Sequence, residues 1–76
     1  MQMQQVESSN IQAIGYDRGR KVLGVQFKNR KAFEYADVPE SVFLGMMDAE
    51  SKGGYFASSV KSFYKAKCID DGKGGE

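Results

Sequence analysis

The sequence contains no histidine, a single cysteine and no long apolar run. Without histidine, the chain has no side chain whose unperturbed pKa suits proton transfer near neutral pH, and no Ser–His or Cys–His nucleophile can form within it. One cysteine without histidine also excludes an internal disulfide and a zinc site of the ordinary ligand type. We therefore predict a protein that is not an enzyme and needs no metal or cofactor.

Length and charge limit the remaining classes of protein. A chain of 76 residues allows one small domain. Eleven Lys and Arg residues against ten Asp and Glu leave a net charge of +1, so affinity for nucleic acid would have to come from a local basic patch. No apolar run reaches the length of a signal peptide or a membrane span, and we predict a soluble, cytoplasmic protein.

The first half of the chain has the pattern of a small antiparallel sheet. Residues 10–16, 22–27 and 32–38 are short segments rich in β-branched and aromatic residues, separated by the polar loops 17–20 and 28–31. These signals predict a three-stranded antiparallel meander. Residues 1–7 and 70–76 are Gln-rich or rich in Gly and charge, and we predict that both ends are disordered around a domain at residues 8–69.

Two helices are predicted after the strands. The first begins at a capping box of Asp37 and Glu40, with Pro39 in its first turn, and ends near Ala49. Its inward face consists of Val42, Phe43, Met46 and Met47. Ser51 caps the second helix, and residues 66–69 are compatible with a short fourth strand. The order of the elements predicts an α+β fold with both helices on one face of the sheet.

The second helix has an aromatic side and a polar side. Phe56, Val60 and Phe63 recur at i, i+4 and i+7, so we predict that all three are buried. The same spacing places four residues on a solvent-exposed stripe: Gly54, Ser58, Lys61 and Lys65.

The side chains of the meander can be assigned to its two faces. A four-residue loop at 17–20 would pair Ile14 with Leu23 and Gln12 with Val25. The face under the helices would then hold Ile14, Leu23, Val25 and Phe27. The open face would hold Ile11, Ala13, Gly15, Val22, Gly24 and Gln26. Phe33 and Tyr35 lie on the open face if the second loop is even and under the helices if it is odd, and the sequence leaves both possibilities open.

Five motifs, in order along the chain, carry a family resemblance. They are SSNIQAIGYD at residues 8–17, LGVQF at 23–27, the aromatic pair Phe33 and Tyr35, DVP at 37–39 and SKGGYF at 51–56. Together they resemble the KTSC domain over residues 8–69. That family is named after the C-terminal extension of some lysyl-tRNA synthetases and also occurs as free-standing small proteins in bacteria and phages. The resemblance implies a small binding domain, and the synthetase fusion suggests RNA as its ligand.

The chain departs from the family pattern at two places. The family's Tyr-x-Tyr is Phe33-Glu34-Tyr35 here, which keeps both rings but loses one hydroxyl group. Gly54 and Ala57 stand where the family usually has a basic residue and an asparagine. Both of these substitutions remove polar groups from the segment in which a phosphate contact would be expected.

Basic and aromatic residues supply the candidate ligand site. Single-strand binders combine cations that follow the backbone with rings on which bases stack, and Phe33 and Tyr35 have the spacing of such a platform. The basic rim would contain Arg30, Lys31, Lys52, Lys61, Lys65 and Lys67. The predicted nucleic-acid-binding set is Arg30, Lys31, Phe33, Tyr35, Lys52, Tyr55, Lys61 and Lys65. Surface solubility and core packing explain the same residue types without a ligand.

Three functions therefore stay open. The first is a non-catalytic module that binds RNA or single-stranded nucleic acid. The second is a protein-interaction or homo-oligomeric module, for example a phage-encoded protein acting on a host partner, which the near-zero net charge favours. The third is a small-nucleotide binder at the Gly53-Gly54 loop, where backbone amides can approach a phosphate. A structural turn that requires positive φ explains the same glycines.

Overall fold

The structure, a computed structural model, describes residues 2–70, so the predicted disorder beyond residue 70 lies outside the described residues. Within these residues, five strands form one antiparallel sheet in the order β1-β2-β3-β4-β5. The strands are β1 (Met3–Gln5), β2 (Ile11–Asp17), β3 (Val22–Phe27), β4 (Lys31–Tyr35) and β5 (Ala66–Asp70). Helices α1 (Glu40–Asp48) and α2 (Lys52–Ser59) lie between β4 and β5 in the chain. The predicted α+β class, the meander, both helices and the short final strand are confirmed.

Strand β1 is an element that the sequence did not predict. It lies in the segment expected to be disordered, and it pairs with β2 through Met3 opposite Gly15 and Gln5 opposite Ala13. All three of its residues are exposed, so it joins the sheet by main-chain pairing at the edge. A strand of this kind needs no apolar alternation, and the sequence therefore carries no signal for it.

The register between β2 and β3 differs from the predicted one by two residues. Ile14 lies opposite Val25, and Tyr16 lies opposite Leu23, so the predicted pairing of Ile14 with Leu23 is wrong. The turn extends to Lys21, which has a φ of 56°. A shift of two residues leaves every side chain on its predicted face. Ile14, Leu23 and Val25 are accordingly all fully buried.

A β-bulge changes the face of one residue in β2. Ile11 lies opposite Phe27, whereas Ala13 lies opposite Gln26, so the register shifts between them. The extra residue turns Ile11 toward the helices, where it is fully buried in the core. The prediction that Ile11 lies on the open face is therefore wrong.

The turn between β3 and β4 settles the orientation of the aromatic pair. Phe33 lies opposite Val25 and Tyr35 lies opposite Leu23, which leaves an odd loop of residues 28–30. Both rings therefore face the helices. Within the turn, the Arg30 amide donates to the Phe27 carbonyl at 3.0 Å, and Arg30 has a φ of 73°.

Helix α1 begins without the predicted capping box. Asp37 has a φ of 58°, and among the residues that the structure describes no side chain caps the helix, whose N-cap residue is Pro39. The carboxylate of Glu40 instead forms an ion pair with Arg18 at 2.5 Å. The predicted inward face is confirmed: Met46 is fully buried, and Val42, Phe43 and Met47 pack against the core.

Helix α2 begins as predicted but ends early. The hydroxyl of Ser51 accepts from the Gly54 amide at 3.1 Å, which confirms the predicted cap. At the other end, the amides of Val60 and Lys61 both donate to the Phe56 carbonyl, at 3.0 and 2.9 Å, and the chain turns away from the helix. Val60 and Phe56 are buried, but Phe63 is 69% exposed, so its predicted burial is wrong.

The core lies between one face of the sheet and the two helices. Its fully buried side chains are Ile11, Ile14, Leu23, Val25, Val38, Met46 and Val60. In the part of the chain that the structure describes, no helix is long and apolar enough to cross a membrane.

Candidate functional site

A cleft of about 480 Å³ opens between the β3–β4 hairpin and helix α2. The strands contribute the floor, the hairpin turn contributes one wall, and the helix with the turn after it contributes the other. Its lining residues are Asn10, Phe27, Asn29, Lys31, Phe33, Tyr35, Gly53, Phe56, Ala57 and Lys61. The cleft exists because the odd hairpin loop turns the β4 aromatics toward α2.

The floor of the cleft is aromatic. Phe27 lies edge-to-face against Phe33 and against Phe56, with ring centroids 5.9 and 5.3 Å apart. Tyr35 packs edge-to-face on Phe56 at 5.5 Å. These contacts hold the rings in fixed orientations. Phe33 is half-buried and presents ring surface to the cleft, whereas Tyr35 is only 4% exposed.

Burial affects the ionisation of the tyrosine in the floor. It raises the pKa of Tyr35 above the usual value of 10.0, because the charged phenolate would lose its hydration. The hydroxyl group, which is neutral at physiological pH in any tyrosine of ordinary pKa, therefore stays neutral to a higher pH.

The mouth of the cleft carries cationic and amide groups. Lys31, the first residue of β4, and Lys61, in the turn that ends α2, are both exposed on the rim. Asn29 lies in the hairpin turn and Asn10 precedes β2. Among the side chains that the structure describes, those lining this cleft include no carboxylate. The cleft thus combines an apolar floor with a positively charged rim.

The cleft unites four of the eight predicted site residues: Lys31, Phe33, Tyr35 and Lys61. The predicted nucleic-acid-binding set did not contain the other lining residues, which are Asn10, Phe27, Asn29, Gly53, Phe56 and Ala57. Gly53 was predicted only as part of the loop for a small nucleotide. The inclusion of these lining residues depends on the hairpin register and on the packing of α2 over β3 and β4. The nearest signal in the sequence was the SSN motif, which contains Asn10.

The other four predicted residues lie elsewhere. Arg30 lines a separate cavity with Lys28 on the opposite side of the hairpin. Lys52 donates its ammonium group to the Ala49 carbonyl at 2.9 Å, so it is used within the loop between the helices.

Tyr55 and Lys65 are also outside the cleft. The hydroxyl oxygen of Tyr55 lies against Gly45 of α1, so close that a Cβ atom added there would be 2.5 Å from it. Lys65 is exposed, and its carbonyl accepts from the Ala36 amide at 3.3 Å. The cleft therefore offers two cations to a ligand, fewer than the sequence predicted.

A second cavity of about 210 Å³ adjoins the cleft and joins two of the sequence motifs. Residues 8–10 form one side and residues 50–54 form the other, and Asn10 and Gly53 line both cavities. Gly53 and Gly54 lie in the first turn of α2, and neither has a positive φ. The interpretation of these glycines as a turn requiring positive φ is therefore wrong.

These features define a class of protein: a small α+β domain with helices on one sheet face and an aromatic, basic-rimmed cleft beside the second helix. Residues 7–64 match the family model of the KTSC domain, and the chain belongs to that family. A crystal structure of a KTSC domain protein from Yersinia pestis superimposes with a TM-score of 0.87 at 37% identity, covering 90% of this chain and 96% of that one.

Two curated relatives are similar along most of their length. A protein of Tsukamurella paurometabola is 39% identical over 67 residues, which cover 88% of this chain and 100% of the relative. An uncharacterized protein of Stutzerimonas stutzeri is 30% identical over 56 residues, which cover 74% of this chain and 79% of the relative.

Proposed function

We propose that this domain binds single-stranded nucleic acid, RNA in the first place, through the cleft between the hairpin and α2. One base would enter the cleft and contact Phe33, while the adjacent phosphates would pair with Lys31 and Lys61. The observation that carries the proposal is the meeting of these two cations with an aromatic floor in a protein whose net charge is only +1. The charge is local, as a single-strand binder of low net charge requires.

The geometry also sets the expected strength of binding. Contact between one base and an aromatic side chain contributes about 1–3 kcal/mol. Each neutralised phosphate on a single strand contributes a slope of about −0.7 to the logarithmic salt dependence of the affinity. Two rim lysines therefore imply a slope of about −1.4 and a modest affinity. Four cations at Arg30, Lys52, Lys61 and Lys65 would have given about −3, but only Lys61 of these four lines the cleft.

The test is a titration of a fluorescently labelled uridine oligomer by anisotropy at several salt concentrations. The cleft variant is Lys31→Glu with Lys61→Glu. The matched control is Lys28→Glu with Lys65→Glu, which changes the net charge equally at two exposed positions outside the cleft. We expect the cleft variant to lose binding and the control to keep most of it. Equal loss in both variants, or no binding of the unchanged protein at low salt, would contradict the proposal.

Two controls separate the other candidate functions. Uridine monophosphate competing as strongly as the oligomer would favour a small-nucleotide site.

Self-association would use the open sheet face, where Ala13, Gly15 and Gly24 are small and already buried. Five strands that average about five residues form a sheet face of roughly 400 Å², which is about half of what each partner buries in a standard interface. We therefore favour nucleic-acid binding over self-association as the function of this domain. A concentrated sample that sediments as a dimer would favour self-association instead.

A further inference from the structure

We infer that the hydroxyl group of Tyr35 hydrogen-bonds the edge of the base that enters the cleft, so that Tyr35 holds the base through its hydroxyl and not by stacking. The inference rests on the proposed function and assigns a role to one residue of the floor. Its basis is the position of this hydroxyl in the cleft without a hydrogen-bond partner in residues 2–70.

The ring of Tyr35 is not available as a stacking platform. It packs edge-to-face on Phe56 at 5.5 Å, and the residue is only 4% exposed. Phe33, two residues earlier on the same face of β4, is half-buried and offers ring surface to the cleft. Of the two rings predicted from the sequence to stack on bases, Phe33 can do so and Tyr35 cannot.

The hydroxyl group of Tyr35 is a polar group without a partner in the described part of the chain. Among residues 2–70 it neither donates nor accepts a hydrogen bond, whereas every completely buried side-chain nitrogen or oxygen there has a partner. The Tyr35 oxygen therefore keeps some exposed surface, and because Tyr35 lines the cleft, that surface faces the cleft. Loss of hydration raises the pKa of Tyr35, with no hydrogen bond to offset it. Polar groups this deep in a protein normally have a partner, so the hydroxyl points to a ligand.

A base and its phosphates would divide between the floor and the mouth of the cleft. Lys31 and Lys61 are exposed on the rim, so their charges suit phosphates that stay in water. The aromatic floor favours a neutral ring over a charged group. Neighbouring side chains on one face of a strand are about 7 Å apart, so a base on Phe33 brings its edge toward Tyr35. Because a hydroxyl both donates and accepts, it can bind the edge of any base.

Tyr35→Phe tests the role of the hydroxyl and keeps the ring. We expect the variant to bind a uridine oligomer about two- to tenfold more weakly, the effect of losing one hydrogen bond. Its melting temperature should equal or exceed that of the unchanged protein, because no hydrogen bond within the described residues is lost. Tyr16→Phe is the matched control, since the Tyr16 hydroxyl donates to the Val38 carbonyl and the residue lies outside the cleft. It should lower the melting temperature and leave the affinity unchanged.

A second oligomer shows whether the hydroxyl acts on the base. Difluorobenzene has nearly the shape of uracil but hardly forms hydrogen bonds, and an oligoribonucleotide of equal length can carry it at every position. Tyr35→Phe should weaken binding of the uridine oligomer and leave binding of the difluorobenzene oligomer unchanged. Binding of the difluorobenzene oligomer to the unchanged protein that is much more than tenfold weaker would exceed the loss of about one hydrogen bond and overturn the inference.

The remaining outcomes separate the inference from the proposed function. Three results would overturn the inference and leave single-strand binding in place: an unchanged affinity of Tyr35→Phe for the uridine oligomer, an equal loss with both oligomers, or a fall in melting temperature as large as that of Tyr16→Phe. No binding of the uridine oligomer to the unchanged protein at low salt would overturn both.

Discussion

Phe56→Ala should remove most of the stability of this domain. Phe56 is 7% exposed and packs edge-to-face on both Phe27 and Tyr35. Truncating a buried phenylalanine to alanine costs about 3–5 kcal/mol. A core of this size supplies about 3–5 kcal/mol in total, so the variant should be largely unfolded even without denaturant.

Phe56→Leu gives the same test a measurable intermediate. It fills most of the space but removes the two edge-to-face contacts, each worth about 0.5–1.5 kcal/mol, so a loss of about 1–3 kcal/mol is expected. The matched control is Phe63→Ala. Phe63 has the helical spacing of a core residue but is 69% exposed, because α2 ends before it. We expect its truncation to change stability by less than about 0.5 kcal/mol.

Urea unfolding followed by far-ultraviolet circular dichroism measures all three variants. The midpoint should fall for Phe56→Leu, the folded baseline should be absent or short for Phe56→Ala, and Phe63→Ala should overlay the unchanged protein. A loss of more than about 2 kcal/mol for Phe63→Ala would refute the described end of α2. An unchanged midpoint for Phe56→Ala would refute the described packing of Phe56 in the core.

Two further predictions concern packing and ionisation. Gly45→Ala should lower the stability of the domain although alanine favours helices, because the added Cβ atom would clash with the Tyr55 side chain. In a Tyr55→Leu background, the same change should be neutral or stabilising. Thermal melting of the four proteins of this double-mutant cycle measures the difference. Burial raises the pKa values of Tyr16 and Tyr35 above 10.0, and the Tyr16 hydroxyl donates to the Val38 carbonyl. As pH rises, the unfolded chain loses these protons before the folded protein does, so the stability of the fold should fall as pH rises through about 10. Replacing both tyrosines by phenylalanine should make this fall less steep in thermal melts taken from pH 8 to 11.

The sequence predicted the sheet faces well where the periodicity alone decided them. Ile14, Leu23 and Val25 lie under the helices although their register is wrong by two residues, because a shift of two preserves the face. Ile11 was misplaced because a bulge leaves no mark in an alternating pattern. Phe63 was misplaced because helical spacing does not show where the Phe56 carbonyl ends the helix by accepting two amides.

The candidate site was predicted only in part for related reasons. Lys31, Phe33, Tyr35 and Lys61 have the residue types of a single-strand binder, and the structure places all four in the cleft lining. Asn29 lies in the odd loop of the hairpin, and the sequence left the parity of that loop open.

Backbone amide chemical shifts measured during titration with a uridine oligomer would show where the ligand binds. Binding in the cleft should give the largest changes at Asn10, Gly53 and Ala57, and these changes should saturate together. Asn10 precedes β2, whereas Gly53 and Ala57 belong to α2, and all three line one cavity, so a shared binding curve would locate the ligand. Changes concentrated instead at Gly15 and Gly24 on the open sheet face, or no changes at the highest oligomer concentration, would contradict binding of nucleic acid in the cleft.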